Sequence, residues 1–264
     1  MMNQTLSIMR SRTALTALVV ALAGSAVQAD EADAKQILQR MSDYLAGEAT
    51  ISFDYDATLE IVTTEDQKLG ITSSGTVAVS RPDKIRMTRT GGFADVEMVY
   101  DGATFSLLGK HAAMYTQLPI KGDVDHLVDE LRETYGRPLP AADLLASDPY
   151  DILMSEVTDI KDLGVGVVRG EICDHLAFRT PDVDWQIWIS TGKHAHPCRY
   201  EITSKAISQG PQYRVDIRHW HGNKALPDDT FAFTPPAGTT EVKFDDIKGS
   251  VGVLPDHYVM GDAK

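Results

Sequence analysis

Apolar and polar residues alternate along most of this chain. Between Ile51 and Ile61, every odd-numbered residue is apolar and every even-numbered residue is polar. A two-residue period of this kind is typical of a β-strand that buries one face and leaves the other in water. Shorter alternating segments recur as far as residue 120 and again from residue 163 to residue 220, separated by Gly, Pro, Asp and Lys. The pattern predicts about ten or eleven strands, mainly antiparallel.

Two segments follow a helical period instead. Segment 31–46 places its apolar residues on one helical face, and these residues are Ile37, Leu38, Met41, Tyr44 and Leu45. Segment 123–135 does the same with Val124, Leu127, Val128, Leu131 and Tyr135. Asp123 is the expected N-cap of this second helix, and Gly136 is placed to end it. The Pro-punctuated stretch that follows predicts one or two further short helices.

An open sheet of this width twists and curls, so its apolar face becomes the inner face. The amphipathic helices are suited to cover that face. We therefore predict an α+β fold, mainly antiparallel β, in which a curled half-open barrel is covered by the N-terminal helix and the central helices. The alternation does not distinguish a packed core from a cavity. The concave-face candidates for ligand binding are Phe53, Tyr55, Leu59, Ile61, Val77, Val79, Ile85, Met87, Val96, Met98, Tyr100, Phe178, Trp185, Ile187, Tyr213 and Val215.

The first 29 residues have the pattern of a secretory signal peptide. Arg10 and Arg12 precede a short apolar run, and small residues surround the expected cleavage point after Ala29. The apolar run is shorter than the ~20 residues that a membrane span requires, although an uncleaved anchor is the alternative. We expect export to the periplasm, one domain over 30–245, and a mobile C-terminal tail over 246–264.

The charge excludes several classes of partner. The whole chain has a formal net charge of −13, and removal of the first 29 residues takes away two arginines and no acids. Nucleic-acid binding requires clustered Lys and Arg, and docking on anionic lipid surfaces requires polybasic segments. We therefore expect no nucleic-acid partner. No later apolar run is long enough to span a bilayer, so the processed protein is not expected to be an integral membrane protein.

Cys173 and Cys198 are the only cysteines. An oxidising compartment favours a disulfide between them, which would stabilise the fold by roughly 3 kcal/mol on a chain-entropy argument. Two free buried thiols are the alternative. The two residues are expected on the first and third strands of a meander, which lie about 9.5 Å apart in a flat sheet, so a bridge would need strong curvature or a bulge.

No catalytic or metal signature is present. The chain lacks G-x-S-x-G, H-E-x-x-H and G-x-x-x-x-G-K. The pairs His194/His196 and His219/His221 have a spacing that suits two zinc ligands, but no third and fourth ligand is evident, so no metal is expected. The basic residues Arg81, Lys84, Arg86 and Arg89 either bind an acidic head group or pair with acids on the wet face, and the second interpretation is favoured.

Five stretches resemble an uncharacterised family of predicted periplasmic proteins over roughly residues 31–245. They are TRTGGFADVEMVYDG, HLVDELRETYGRPLPAADLL, CDHLAFRT, DWQIWI and PCRYEITSK. The element order, with GTVAVSRPDKIR in the second strand and FAFTPPAG in a last short strand, is also similar at fold level to the lipoprotein-carrier superfamily (LolA/LolB-like). That resemblance implies an incomplete antiparallel barrel that holds acyl chains under its helices.

These observations favour a soluble periplasmic binding or carrier protein for a hydrophobic ligand, with a lipid, an acyl chain or an acylated lipoprotein as its partner. The alternative is a cell-envelope module that senses or binds another protein. An enzyme is the third hypothesis, and no residue is assigned a catalytic role. No cofactor is expected.

Overall fold

The computed structural model describes residues 20–92, 95–139, 141–247, 249 and 251–252, with the backbone alone over 20–29. Residues 1–19, which hold most of the predicted signal peptide, lie outside this part of the chain. The first helix, α1, runs over Val20–Gly47, so the predicted cleavage point after Ala29 falls within it. No helix among the described residues has the length and apolar character needed to cross a membrane.

One sheet of twelve strands forms most of the described structure. In chain order its strands are β1 Thr50–Val62, β2 Lys68–Ser80, β3 Lys84–Gly91, β4 Asp95–Tyr100, β5 Thr104–Gly109, β6 Met114–Pro119, β7 Asp159–Val168, β8 Glu171–Arg179, β9 Val183–Ser190, β10 Pro197–Ser204, β11 Gln212–Gly222 and β12 Thr240–Glu241. The helices after α1 are α2 Val124–Glu133, a 3₁₀ helix Ala142–Leu145, α3 Pro149–Met154 and α4 Phe244–Ile247. The α+β, mainly antiparallel architecture is confirmed.

Two meanders build the sheet. The spatial order is β12-β6-β5-β4-β3-β2-β1-β11-β10-β9-β8-β7, so consecutive strands are neighbours within each half and β1 joins the halves by pairing with β11. Hairpin connections between antiparallel strands produce such an order with the shortest loops. The edge strands β12 and β7 are not paired with each other, so the sheet stays open.

The last strand differs from the prediction. FAFTPPAGTTEV was expected to form a short strand, but only Thr240–Glu241 is in the sheet, and it pairs in parallel with β6. Two prolines and a glycine with φ +83° precede it, and they favour an irregular path over a ladder. The following residues Phe244, Ile247 and Val251 are buried. The start of the predicted tail is therefore packed, whereas residues 253–264 lie outside the described residues.

The core lies between the helices and one face of the sheet. Leu38, Met41 and Leu45 on α1 are fully buried, as are Leu127 and Leu131 on α2 to within 1%. They belong to one apolar cluster with inner-face residues of both meanders. The apolar faces of the helices and the apolar face of the sheet therefore bury each other, as the faces of amphipathic elements must.

The β2–β3 turn positions α2 over the sheet. Pro82 lies in this turn, between the end of β2 and the start of β3, and its carbonyl oxygen accepts a hydrogen bond of 2.9 Å from the Val124 N–H. The Asp123 side chain caps the same helix by accepting from the His126 N–H at 2.8 Å. The first turn of α2 is thus held to the sheet by its otherwise unpaired N–H groups.

Replacing Leu38 with Ala is expected to lower the free energy of unfolding by about 2–5 kcal/mol, because it opens a cavity where α1 contacts the sheet. The matched control is Leu163→Ala on β7, where the side chain is 49% exposed. This control is expected to change stability by about 0.5 kcal/mol or less. Urea unfolding followed by circular dichroism measures both variants, and equal midpoints would show that α1 does not stabilise the sheet.

Candidate functional site: an apolar cavity under the helices

A cavity of about 230 Å³ lies between the helices and the inner face of the first meander and β11. Its floor comes from β1 to β5 and β11, and its roof comes from α2, residues 137–139 and 141–145, and α4. The lining is mostly apolar. The inner face that the alternation predicted is therefore hollow in one half of the sheet.

The sequence-predicted concave residues divide into two groups. Ten line the cavity: Phe53, Tyr55, Leu59, Val77, Ile85, Met87, Val96, Met98, Tyr213 and Val215. The others do not line it and are buried: Ile61, Val79, Tyr100, Phe178, Trp185 and Ile187. Phe178 and Trp185 stack on each other with ring centroids 3.9 Å apart, which fills the space over the second meander. Their role as ligand-binding residues stays a prediction.

Trp220 is a lining residue that strict alternation misses. In β11, Tyr213, Val215 and Ile217 line the cavity, so uninterrupted alternation would place the even-numbered Trp220 on the opposite face. The register against β1 shifts between Ser52 and Asp54, and His219 has φ +51°. This bulge turns Trp220 inward, where it stacks on Phe53 at 5.2 Å. The chain contains no sequence signal for that extra residue.

Tyr55 crosses the floor of the cavity. Its hydroxyl donates a hydrogen bond of 2.9 Å to the Thr88 carbonyl oxygen on β3. The ring passes over Gly75, where a Cβ atom would lie 2.7 Å from the Tyr55 hydroxyl oxygen. Burial raises the pKa of Tyr55, so its hydroxyl stays protonated and remains a donor.

Two arginines line the cavity as well. Arg89 follows Ile85 and Met87 at the same period on β3, and Arg137 lies after α2. Burial lowers the pKa of both guanidinium groups, and the charge of Arg89 lowers the pKa of Arg137 further. The expectation of wet-face pairing was therefore wrong for Arg89. The sequence signal for this position was that Arg89 continues the two-residue period of Ile85 and Met87, which places it on their face of the sheet.

The other basic residues of this region lie away from the cavity lining. Arg86 forms an ion pair with Glu97 and donates a hydrogen bond of 2.9 Å to the Thr230 carbonyl oxygen. Lys84 is exposed. Arg81 donates to the Leu45 carbonyl oxygen at 3.4 Å. The pairing interpretation thus describes Arg86, while Arg81 joins the β2–β3 turn to the end of α1.

Histidines, a carboxylate and a thiol meet at the start of β8 and β10. Donor atoms of Glu171, His196 and Cys198 lie within 4.8 Å of one another. His196 Nδ1 lies 3.1 Å from the His194 carbonyl oxygen, while His194 itself contacts the Tyr44 ring. Away from this cluster, His219 on β11 lies 2.7 Å from the Asp54 carboxylate on β1. Three donors fall short of the four of a closed zinc site, so the expectation of no metal stays a prediction.

The two cysteines are neighbours although they lie two strands apart. Both thiols are free and buried, and a hydrogen bond joins them. The register of β10 against β9 shifts between Pro197 and Arg199, so Cys198 lies in a bulge that brings it to Cys173. The structure therefore contains the kind of bulge that a bridge between these strands was expected to need. The hydrogen bond from Cys198 lowers the pKa of Cys173, and the same contact together with burial raises the pKa of Cys198.

Protein isolated from an oxidising compartment is expected to hold these sulfurs as a disulfide, because contacting thiols oxidise there. Maleimide labelling of the denatured, unreduced protein should then detect no thiol by mass spectrometry. Cys173→Ser and Cys198→Ser should each label once, as matched controls. Two labelled thiols in the unaltered protein would contradict the expectation.

Comparisons with solved structures find similar folds at low identity. The mycobacterial lipoprotein LppX of Mycobacterium tuberculosis is 15% identical, with a TM-score of 0.47 over 75% of this chain and 98% of its own. The complex of MucA and MucB of Pseudomonas aeruginosa gives 16% identity and a TM-score of 0.44, covering 76% of this chain and 61% of that chain.

Sequence comparisons identify the family to which the chain belongs. An uncharacterised protein of Methanocaldococcus jannaschii is 23% identical over 199 residues, which are 70% of this chain and 51% of that protein. The chain thus spans about half the length of this curated relative. The model of a family described as "Predicted periplasmic protein (DUF2092)" matches residues 34–245, which include the whole sheet. This chain therefore belongs to the DUF2092 family of predicted periplasmic proteins.

Proposed function

We propose that this protein is a periplasmic carrier or binding protein for an apolar chain, such as that of a lipid or an acylated lipoprotein. The observation that carries the proposal is the cavity of about 230 Å³ with its mostly apolar lining. An engineered apolar cavity of about 150 Å³ binds benzene, so this volume is sufficient for a segment of hydrocarbon.

The lining supports this ligand class over a polar one. The floor presents side chains such as Val77, Met87 and Met98, which have no hydrogen-bonding requirement, and Phe53 and Trp220 form a stacked aromatic wall. Methionine side chains adapt to ligands of different shape, since they have several rotatable bonds. Each methylene group buried against such walls contributes about 0.8 kcal/mol.

That increment provides a direct test. Binding of straight-chain fatty acids from eight to twelve carbons should strengthen by about fourfold per methylene until the cavity is full. Displacement of a fluorescent fatty acid measures the series, and native mass spectrometry of gently purified protein should show retained lipid. Affinity that does not depend on chain length, together with no retained lipid, would refute the proposal.

Filling the cavity should abolish this binding. Ala57 lies on β1 between Ser73 and Val215 of the neighbouring strands and lines the cavity, so Ala57→Phe places a ring inside it. The control is Ala177→Phe on β8, where Ala177 lies between the inward Leu176 and Phe178 and faces the other side. We expect at least about tenfold weaker fatty-acid binding for the first variant and unchanged binding for the second. Overpacking costs about 1–3 kcal/mol, so circular dichroism and melting temperature are checked for both.

A second candidate is binding of an envelope protein, and an exposed apolar patch favours it. The patch consists of Leu163, Val165 and Val167 on β7 and Ile172 on β8, with exposed fractions of 49% to 70%. β7 is an edge strand, so its outer N–H and C=O groups are also open to an added strand. Apolar patches at open edges are typical of interaction sites.

The double variant Val165→Lys and Val167→Lys should remove such an interaction, because it places charges on the edge strand. Crosslinking in envelope extracts followed by mass spectrometry should lose a stoichiometric partner, while fatty-acid binding stays unchanged. The control is the double variant Asp159→Lys and Lys161→Glu, which exchanges two charges on the same strand outside the apolar patch. An identical crosslinking pattern in all three proteins would exclude this patch as a docking site.

A further inference from the structure

The cavity is apolar along most of its wall, but two arginines belong to that wall. Arg89 lies on β3 two residues before Gly91, and Gly91 pairs with Ser73 of β2. These three residues and Arg137 all line the cavity. Gly75, the residue of β2 beside Arg89, pairs with Tyr55, and the lining continues past this level to Val77 in one direction and to Ile71 in the other. Arg89 and Arg137 therefore place two cationic groups within an otherwise mostly apolar wall.

Arg89 is held in place but lacks an anionic partner among the described residues. One terminal nitrogen, Nη2, donates to the carbonyl oxygens of Val251 and Gly252, at 2.7 and 3.3 Å. The described hydrogen bonds and ion pairs give no acceptor for the remaining N–H groups of this guanidinium and no carboxylate within 4.0 Å. The two carbonyls orient the group and leave its other edge available.

The arginines of the outer face differ in this respect. Arg199 pairs with Asp216 at 2.6 Å and Arg214 pairs with Glu201 at 2.6 Å. Arg218 pairs with Asp56 at 3.0 Å. In a chain with a formal net charge of −13, acids are plentiful for such pairs. A cavity-lining arginine that is not paired with one of the described acids is thus an exception that needs a physical reason.

A bound anion would supply that reason. Partial burial of a guanidinium without a counter-charge is unfavourable, and the charge of a second cation nearby adds to the cost. Arg137 is that second cation, because its pKa is lowered by Arg89. A carboxylate or phosphate group at the open edge of Arg89 would form charge-assisted hydrogen bonds, for which the planar guanidinium fork is well suited.

We propose that the cavity selects amphiphiles with one acyl chain and an anionic head group, with Arg89 binding the head group and Arg137 as the neighbouring cation. This inference rests on the proposed function, since the acyl chain occupies the apolar part of the same cavity. The shared chemistry is a carboxylate or phosphate oxygen. A free fatty acid and a lysophosphatidic acid are its two sources, and the experiment separates them.

The test compares three ligands of equal chain length: dodecanoic acid, dodecanoyl lysophosphatidic acid and the neutral dodecanol. Their affinities are measured by displacement of a fluorescent probe below the critical micelle concentration. The unaltered protein should bind at least one anion about tenfold more tightly than the alcohol, because hydrogen bonds to a charged group add to the chain's contribution. The better anion identifies the source.

Arg89→Gln should lose about tenfold in affinity for the anion and keep its affinity for dodecanol. Arg89→Lys should recover part of the loss. The matched control is Lys84→Gln, which removes the same charge from an exposed position of the same strand and should leave all three affinities unchanged. Melting temperatures verify folding, and Arg137→Gln replaces Arg89→Gln as the measured variant if the latter does not fold.

The outcomes separate this inference from the proposed function. Equal affinity for the anions and the alcohol in the unaltered protein would overturn the head-group site and leave the apolar carrier intact. The same conclusion follows if Arg89→Gln weakens alcohol and anion to the same extent. Absence of binding by all three ligands would overturn both.

Discussion

The contact between the helices and one apolar face of the sheet is the interaction on which the rest of the structure depends. A twelve-stranded sheet that is open at β7 and β12 leaves a broad apolar surface unless another layer covers it. Helix α1 covers the second meander closely, with Leu38, Met41 and Leu45 fully buried. Helix α2 covers the first meander with a gap, since its residues Val128 and Leu131 line a cavity instead of filling it. The same interaction thus forms a solid core in one half and a cavity in the other.

The arginines on the two faces of the sheet have different partners. On the outer face, arginines and acids pair across neighbouring strands, as Arg199 does with Asp216, and each such pair contributes little to stability. On the inner face, Arg89 contacts backbone carbonyls, and no carboxylate among the described residues lies within ion-pair distance of it. This difference in partners separates the paired arginines of the outer face from an inner-face cation with no acidic partner among the described residues. The proposed anionic ligand is compatible with an acidic protein, because nearby charges govern a partly buried site more than the net charge does.

The strands, their order of appearance and the amphipathic helices were predictable from local pattern, as the segment from Ile51 to Ile61 illustrates. Three other features were not. Trp220 enters the cavity because of a bulge at His219, and Cys198 reaches Cys173 because of a bulge beside Pro197. The short strand predicted in FAFTPPAGTTEV is confined to Thr240–Glu241, which pairs in parallel with β6. Bulges and edge pairings depend on how two distant strands fit each other, and a period-2 pattern contains no record of that fit.

The sequence by itself determined which residues face inward on regular strands and the α+β class, because alternation is a local property of neighbouring residues. The quoted stretches of sequence also carried the family resemblance. The sequence contained the signal that Arg89 shares the inner face with Ile85 and Met87. Only the tertiary structure decided that this face is hollow under α2 and filled under α1, and that Arg89 belongs to the wall of the hollow. The physical reason is that a cavity is the space left between elements, so its volume depends on the distance of each helix from the sheet and on no single segment of the chain.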